Sequence, residues 1–216
     1  MRLRALAVTT ALALAATGLT ACSSKIGQAA VVGGHRISQK EVDSYVNPAG
    51  PTGAALAQSQ GTPIAPRTTI VDTLVRRELF IEALLKTAKG LPSAAALRAR
   101  HDDAATQISQ GQATGADFDK AFNSQLASLG FRASFAAVFV QTEELEIALV
   151  DQTGAKSSGE LLAAVAKAHA AVSLSPRYGT WSTALLSVSS SAKAGLPSFV
   201  TIGSDTPPTA TPAAGQ

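Results

Sequence analysis

Three histidines, one cysteine and a cluster of glutamates at positions 143, 144 and 146 are the side chains of this 216-residue chain with the most obvious chemical potential. One cysteine builds neither a disulfide framework nor a cysteine-rich zinc site. The histidines, at 35, 101 and 169, are too scattered along the sequence to suggest a histidine-built metal centre. There is no G-x-S-x-G elbow, phosphate-cradling Walker loop or H-E-x-x-H pair. His101 precedes Asp102 and Asp103, but adjacent helical residues do not face one ligand, so the trio reads as a solvated helix face. Glu143, Glu144 and Glu146 read the same way. His35 reads as a surface residue beside a turn, and His169 as a complement to a helix C-terminus. No enzymatic, metal or cofactor chemistry is expected from this inventory.

The N-terminus carries a different kind of signal. Arg2 and Arg4 form a cationic start, Ala5 to Ala16 an apolar run broken only by Thr9 and Thr10, and a small-residue stretch follows Gly18. The run is short for a membrane span, which needs about 20 mainly apolar residues, and its order is that of a secretory signal. The arginines are not adjacent, which fits the general secretory route. Leu19-Thr20-Ala21-Cys22 resembles the lipobox of bacterial lipoprotein precursors. The resemblance implies cleavage between Ala21 and Cys22 and a diacylglyceryl thioether on the Cys22 sulfur. Each buried CH₂ contributes roughly 0.8 kcal/mol and stable anchoring takes two chains, so such an anchor would hold the protein without a transmembrane helix. Without Arg2 and Arg4, Lys and Arg number 16 against 15 acids, a balance that argues against nucleic-acid binding.

The elements that follow are mostly helical, in keeping with abundant Ala and only 5% aromatic residues. Ala29 to Val32, Gly33-Gly34 and His35 to Ile37 predict a tight hairpin, because two glycines accept the positive φ of a primed turn. Ser38-Gln39-Lys40-Glu41 has capping-box spacing, with Ile37 and Val42 at staple positions, and predicts a helix from Gln39 to Val46. A Pro- and Gly-rich loop over 47–66 leads to a long helix from Thr68 to Lys89, stopped by Gly90. Ile70, Leu74, Ile81, Leu84, Leu85 and Ala88 line its main stripe. Apolar residues cover so much of this helix that it must pack on more than one side. Ser93 caps a helix to Ser109, and others follow near Phe118 to Leu129, Ala133 to Asp151 and Glu160 to Ala170. Ala171 to Ser175 alternates as a strand. A lone hairpin is marginal in water, so this strand is expected to pair with the opening one. Five phenylalanines, at 118, 122, 131, 135 and 139, read as core or as the lining of an apolar groove. Arg177 is expected to meet a carboxylate.

In sequence order these elements resemble the chaperone domain of the SurA and PrsA family of exported folding factors. The residues that carry the resemblance are Ala30 to Ser38, the Ile70 to Gly90 helix and the Val172 to Trp181 stretch with its Pro-Arg-Tyr-Gly-x-Trp. Gly33 stands where the family usually has Asn. No stretch resembles the Ala-x-His-Ile-Leu strand or the Gly-Gly-x-Leu-Gly segment of a parvulin-type isomerase. The expected fold is mainly α (α+β), a bundle of five or six helices with a small antiparallel sheet joining the N- and C-terminal strands. Residues 1–21 are expected to be the lipoprotein signal, 22–28 a tether, 29–181 the domain and 182–216 a largely disordered Ser-, Pro-, Thr- and Ala-rich tail.

The resemblance implies an exported, lipid-anchored chaperone-like protein at the extracytoplasmic face of the cell membrane. It would hold apolar segments of unfolded or nascent exported polypeptides without ATP or isomerase catalysis. The alternative is a structural or adaptor lipoprotein that binds one cell-envelope partner. Leu79 and Phe80 lie off the main stripe of the long helix and are the expected client-binding residues, exposed to solvent.

Overall fold

The computed structural model describes residues 27–50 and 66–189. The expected signal, the cleavage site at Ala21 and Cys22, and the tail beyond Ser189 lie outside the described residues. Strands β1 (Gln28–Val32) and β2 (His35–Ser38) form the hairpin, turning at Gly33 with φ 56° and Gly34 with φ 97°. Both angles are in the region that favours glycine. Strand β3 (Val172–Leu174) pairs antiparallel with the other edge of β1, placing Val32 opposite Val172 and Ala30 opposite Leu174. The expected joining of the two ends of the domain is therefore observed, in the order β2-β1-β3. Ala29, Ala30, Val32 and Ile37 turn inward and are fully buried.

Helix α1 (Gln39–Tyr45) starts as its cap demands: the Ser38 hydroxyl accepts the amide of Glu41 at 3.0 Å, and the staple residues Ile37 and Val42 are buried. Helix α2 (Pro66–Leu85) begins on a proline, tolerated because the first-turn amide has no helical partner. It ends four residues before the expected Lys89. The amides of Lys86 and Thr87 tighten onto the carbonyls of Ala83 and Leu84, and the Thr87 hydroxyl accepts the amide of Gly90. Gln152 then holds the Gly90 carbonyl at 3.1 Å.

The helix expected from Ser93 to Ser109 is two helices, α3 (Ala94–Arg98) and α4 (His101–Ser109). At the break, Arg100 donates to the carbonyl of Ala96 and pairs with Asp151 at 3.0 Å, while Ala104 and Ala105 are buried. Helices α5 (Gly115–Ser128), α6 (Ala133–Thr153) and α7 (Ser158–Ala166) complete seven helices among the described residues. The last stops four residues short of the expected Ala170. His169 lies beyond its end with φ 51° and donates its amide to Ala166.

Helix α2 packs against β1, α6, α7 and α1 at once, the multi-sided burial its composition requires. A run of rings crosses the core. Phe118 stacks on Phe122 at 5.1 Å, Phe122 meets Phe139 at 5.5 Å, and Phe135 meets Phe139, Phe131 and Tyr45 at 6.1, 4.8 and 6.0 Å. Where α1 and α5 hand over to their next segments, Val46 bridges Phe131 and Asn47 donates to the Gly130 carbonyl. A Cβ on Gly50 would lie 2.6 Å from the Gly130 Cα, so this crossing needs glycine.

The domain extends past Trp181. Strands β4 (Thr180–Ser182) and β5 (Ser187–Ser189) form a second hairpin with Trp181 opposite Val188. The Val188 amide donates to the Asp72 carboxylate at 2.6 Å, tying this hairpin to α2. The tail boundary at 182 is corrected accordingly. So is the partner of Arg177: it donates to the side-chain oxygen of Gln39 at 3.1 Å, not to a carboxylate, and the buried Tyr178 hydroxyl donates to the same oxygen at 2.6 Å.

Candidate functional site

Leu79 and Phe80 are not surface residues. They are 4% and 0% exposed, because the sides of α2 away from its main stripe also face packed neighbours. The expectation that they bind clients from an exposed position is corrected. Leu85, read as part of the buried stripe, is 54% exposed. With Leu91 and Leu185 it makes up the exposed large apolar side chains among the described residues.

Apolar surface is open instead in a groove of about 570 Å³ between α3, α5 and α6. Its volume is within the usual range for binding clefts, about 300–1,000 Å³. Ala133, Ala137 and Gln141 follow one another at helical spacing on α6 and are exposed, forming the floor. Phe122 and Leu97 stand at its walls, nearly buried. Gly130 terminates α5 with φ 85°, and the Arg132 amide bonds to the Tyr45 carbonyl just before α6 begins. That junction sets the spacing between α5 and the floor.

One end of the groove is charged. His101 on α4 places Nε2 3.1 Å from Asp119 of α5 and Nδ1 3.5 Å from Glu144 of α6. Its sequence neighbours are not its partners: Asp102 instead accepts the amide of Gly115 at the start of α5. Burial raises the pKa of Glu144, opposed by its hydrogen bond and charge interaction with His101 and by the charge of Arg98. Each ring nitrogen of His101 thus has a carboxylate oxygen within 3.5 Å. No serine, threonine, cysteine or lysine lines this groove among the described residues. Among those residues, no group of three or more His, Cys, Asp or Glu is arranged to hold a metal ion.

The glutamates of α6 are also not a solvated face. Arg76 of α2 reaches Glu143 at 3.4 Å and Glu146 at 2.7 Å, and Glu144 is 7% exposed against His101. Burial raises the pKa of Glu143, against the pull of Arg76. His35 is a surface residue, 3.9 Å from Glu78. Ala133 and Ala137 stand one helical turn apart in the sequence, but nothing local distinguishes small residues that pack from those left open. Among the described residues no helix is long and apolar enough to cross a membrane. No protein-family model, curated protein or solved structure matches this chain.

Proposed function

We propose that this chain is an exported, lipid-anchored chaperone-like protein that holds apolar segments of translocated polypeptides in the groove between α3, α5 and α6. The observation that carries this reading is the exposed alanine floor beside Phe122. Small residues leave clearance for the large side chains of a visitor, and an apolar wall rewards their burial without demanding one sequence. Each Leu or Phe buried there contributes about 1.5–3 kcal/mol, much of it offset by the lost freedom of the bound segment. Weak, exchanging contact is what a holding protein needs. The resemblance of Ala30 to Ser38 and Val172 to Trp181 to the SurA and PrsA chaperone domain supports the same reading.

The test is suppression of aggregation of several unrelated unfolded proteins. The parent should protect them. Ala137→Arg should lose at least most of that protection, because a long cation then lies across the floor. Its stability should shift by under about 0.5 kcal/mol, since the position is exposed and Arg is a good helix former. A parent that protects none of them overturns the reading. The adaptor alternative draws on the fixed charges at the groove end, Arg98, His101, Asp119 and Glu144, which suit one complementary partner. An adaptor would protect nothing and retain a single envelope protein.

The anchor has its own test. Cys22→Ser should leave an uncleaved or soluble exported form that no longer partitions into detergent. A variant that partitions like the parent, with its leader removed normally, excludes lipidation at this cysteine.

A further inference from the structure

We infer that the end of α2 and the loop after it, from Leu85 to Leu91, form a surface that docks onto an anionic lipid bilayer. From Ala83 to Arg100 the chain carries Lys86, Lys89, Arg98 and Arg100 and no Asp or Glu. Lys86 and Lys89 are exposed and make no ion pair among the described residues. Leu85 and Leu91, two of the three exposed large apolar side chains among those residues, flank them. Lys86 also lines a hollow of about 590 Å³ beside α6 and α7, and Lys167 lines the same hollow, again without an ion pair among the described residues. Glu160 is the one carboxylate of that lining, and it accepts the amide of Lys156. The loop is held in place. The Gly90 amide donates to the Thr87 hydroxyl, which donates to the Leu84 carbonyl at 2.7 Å, and Gln152 donates to the Gly90 carbonyl at 3.1 Å. A surface already ordered loses little freedom on binding. A bilayer interface accepts both kinds of side chain: leucines enter the acyl boundary, while lysine stems lie along it and leave their ammonium groups among the phosphates. A soluble acidic partner would answer the lysines alone.

The choice of a bilayer as occupant rests on the lipid-anchor reading of Cys22. Cys22 and Gln28 are six positions apart. Even fully extended, that stretch spans no more than roughly 20 Å, at about 3.3–3.6 Å per residue. Gln28 then never leaves the headgroups by more than that distance. Such a short tether gives the surface an effective concentration at the bilayer that no soluble partner shares. Strand β1 carries the chain from Gln28 toward Gly33, where a Cβ would lie 3.1 Å from the Glu82 side chain. The strand covers roughly 17 Å at about 3.4 Å per residue, less than the reach of the tether. Glu82 precedes Leu85 by just under one turn of α2. The surface can therefore meet the bilayer while Cys22 is anchored in it.

An environment-sensitive dye on Leu91→Cys reads the contact, because a lipidated Cys22 sulfur is a thioether and does not react with maleimide. In phosphatidylglycerol vesicles the dye emission of the anchored protein should shift to the blue, and a lipid-borne doxyl quencher should lower it at least twofold. In pure phosphatidylcholine vesicles the quenching should be less than half as large. Lys86→Glu combined with Lys89→Glu should abolish the difference between the two lipids, with far-UV circular dichroism unchanged. Lys86→Gln with Lys89→Gln should shrink the same difference and serves if the reversed variant fails to fold. The dye on Ala127→Cys should not be quenched. Ala127 is exposed at the end of α5, beside the start of α6, and the length of α6 puts about 30 Å between that point and Gln152 at the hollow. A parent that labels at Cys22 overturns the anchor reading alone; the same dye on the Cys22→Ser chain with vesicles added then tests the surface by itself. An unquenched Leu91 dye in phosphatidylglycerol overturns the inference, as does equal quenching at Ala127 or undiminished quenching in the folded lysine variants. Polyglutamate that shifts the Leu91 dye as far as the vesicles do also overturns it, because the surface would then suit an acidic protein.

Discussion

Phe135→Ala is expected to lower the unfolding free energy by about 3–5 kcal/mol, the range for truncating a buried phenylalanine. Phe135 is fully buried and touches three other rings, those of Tyr45, Phe131 and Phe139. It therefore joins α1, the segment before α6, and α6 itself. Two contributions are lost together, the transfer of the ring out of water and the contacts of the rings left facing a void. The ring pairs belong to different elements, so the surrounding chain cannot collapse onto the gap without shifting helix against helix. Against a typical domain stability of about 5–15 kcal/mol, this is a large fraction. Phe139→Ala should cost less than half as much, because Phe139 is only partly buried and truncating it leaves a smaller void. Urea unfolding checks both: the midpoint should fall with the slope unchanged. Equal small effects for the two substitutions would mean that the rings do not form one packed unit.

What the sequence made legible follows the range of each interaction. The Gly33-Gly34 turn and the Ser38 cap are local chemistry, and both are observed. The pairing of β3 with β1 is long-range but could be argued, since a hairpin with buried inner residues requires a third strand or a cover. Leu79 and Phe80 were misplaced because periodicity tells which residues share a face, not how many faces are covered. The β4–β5 hairpin escaped notice because its turn residue Leu186 takes φ 46° without any glycine to announce it. His101 looked solvated because its carboxylates come from α5 and α6, 18 and 43 positions away in sequence. The break between α3 and α4 at Ala99-Arg100 has no proline or glycine to mark it.

Arg76→Met is expected to destabilise the fold by about 3 kcal/mol at neutral pH, near the lower end for breaking a buried ion pair. Arg76 keeps 24% of its side chain exposed, which moderates the effect. Met preserves an apolar stem of similar length, so the change is mainly one of charge. Three carboxylates depend on this cation: Glu143 and Glu146 through direct contact, and Asp72 through its charge. Burial holds the pKa of Glu143 above its ordinary 4.5 and that of Asp72 above 3.8, although Arg76 opposes both shifts. Between the ordinary and the raised values the folded state binds more protons than the unfolded one. Stability from these groups therefore falls as pH rises through that window and returns on acidification. Removing Arg76 deletes an opposing influence, so the raised values rise further and the window widens. The gap in unfolding free energy between parent and Arg76→Met should accordingly narrow as pH falls from 7 toward the ordinary carboxylate range. Arg76→Lys should recover part of the loss, because it restores charge without the planar fork that reaches two carboxylates. Unfolding curves at a series of pH values check this. A gap that stays constant with pH would assign the role of Arg76 to packing over the Phe80 ring, 5.7 Å away, rather than to charge.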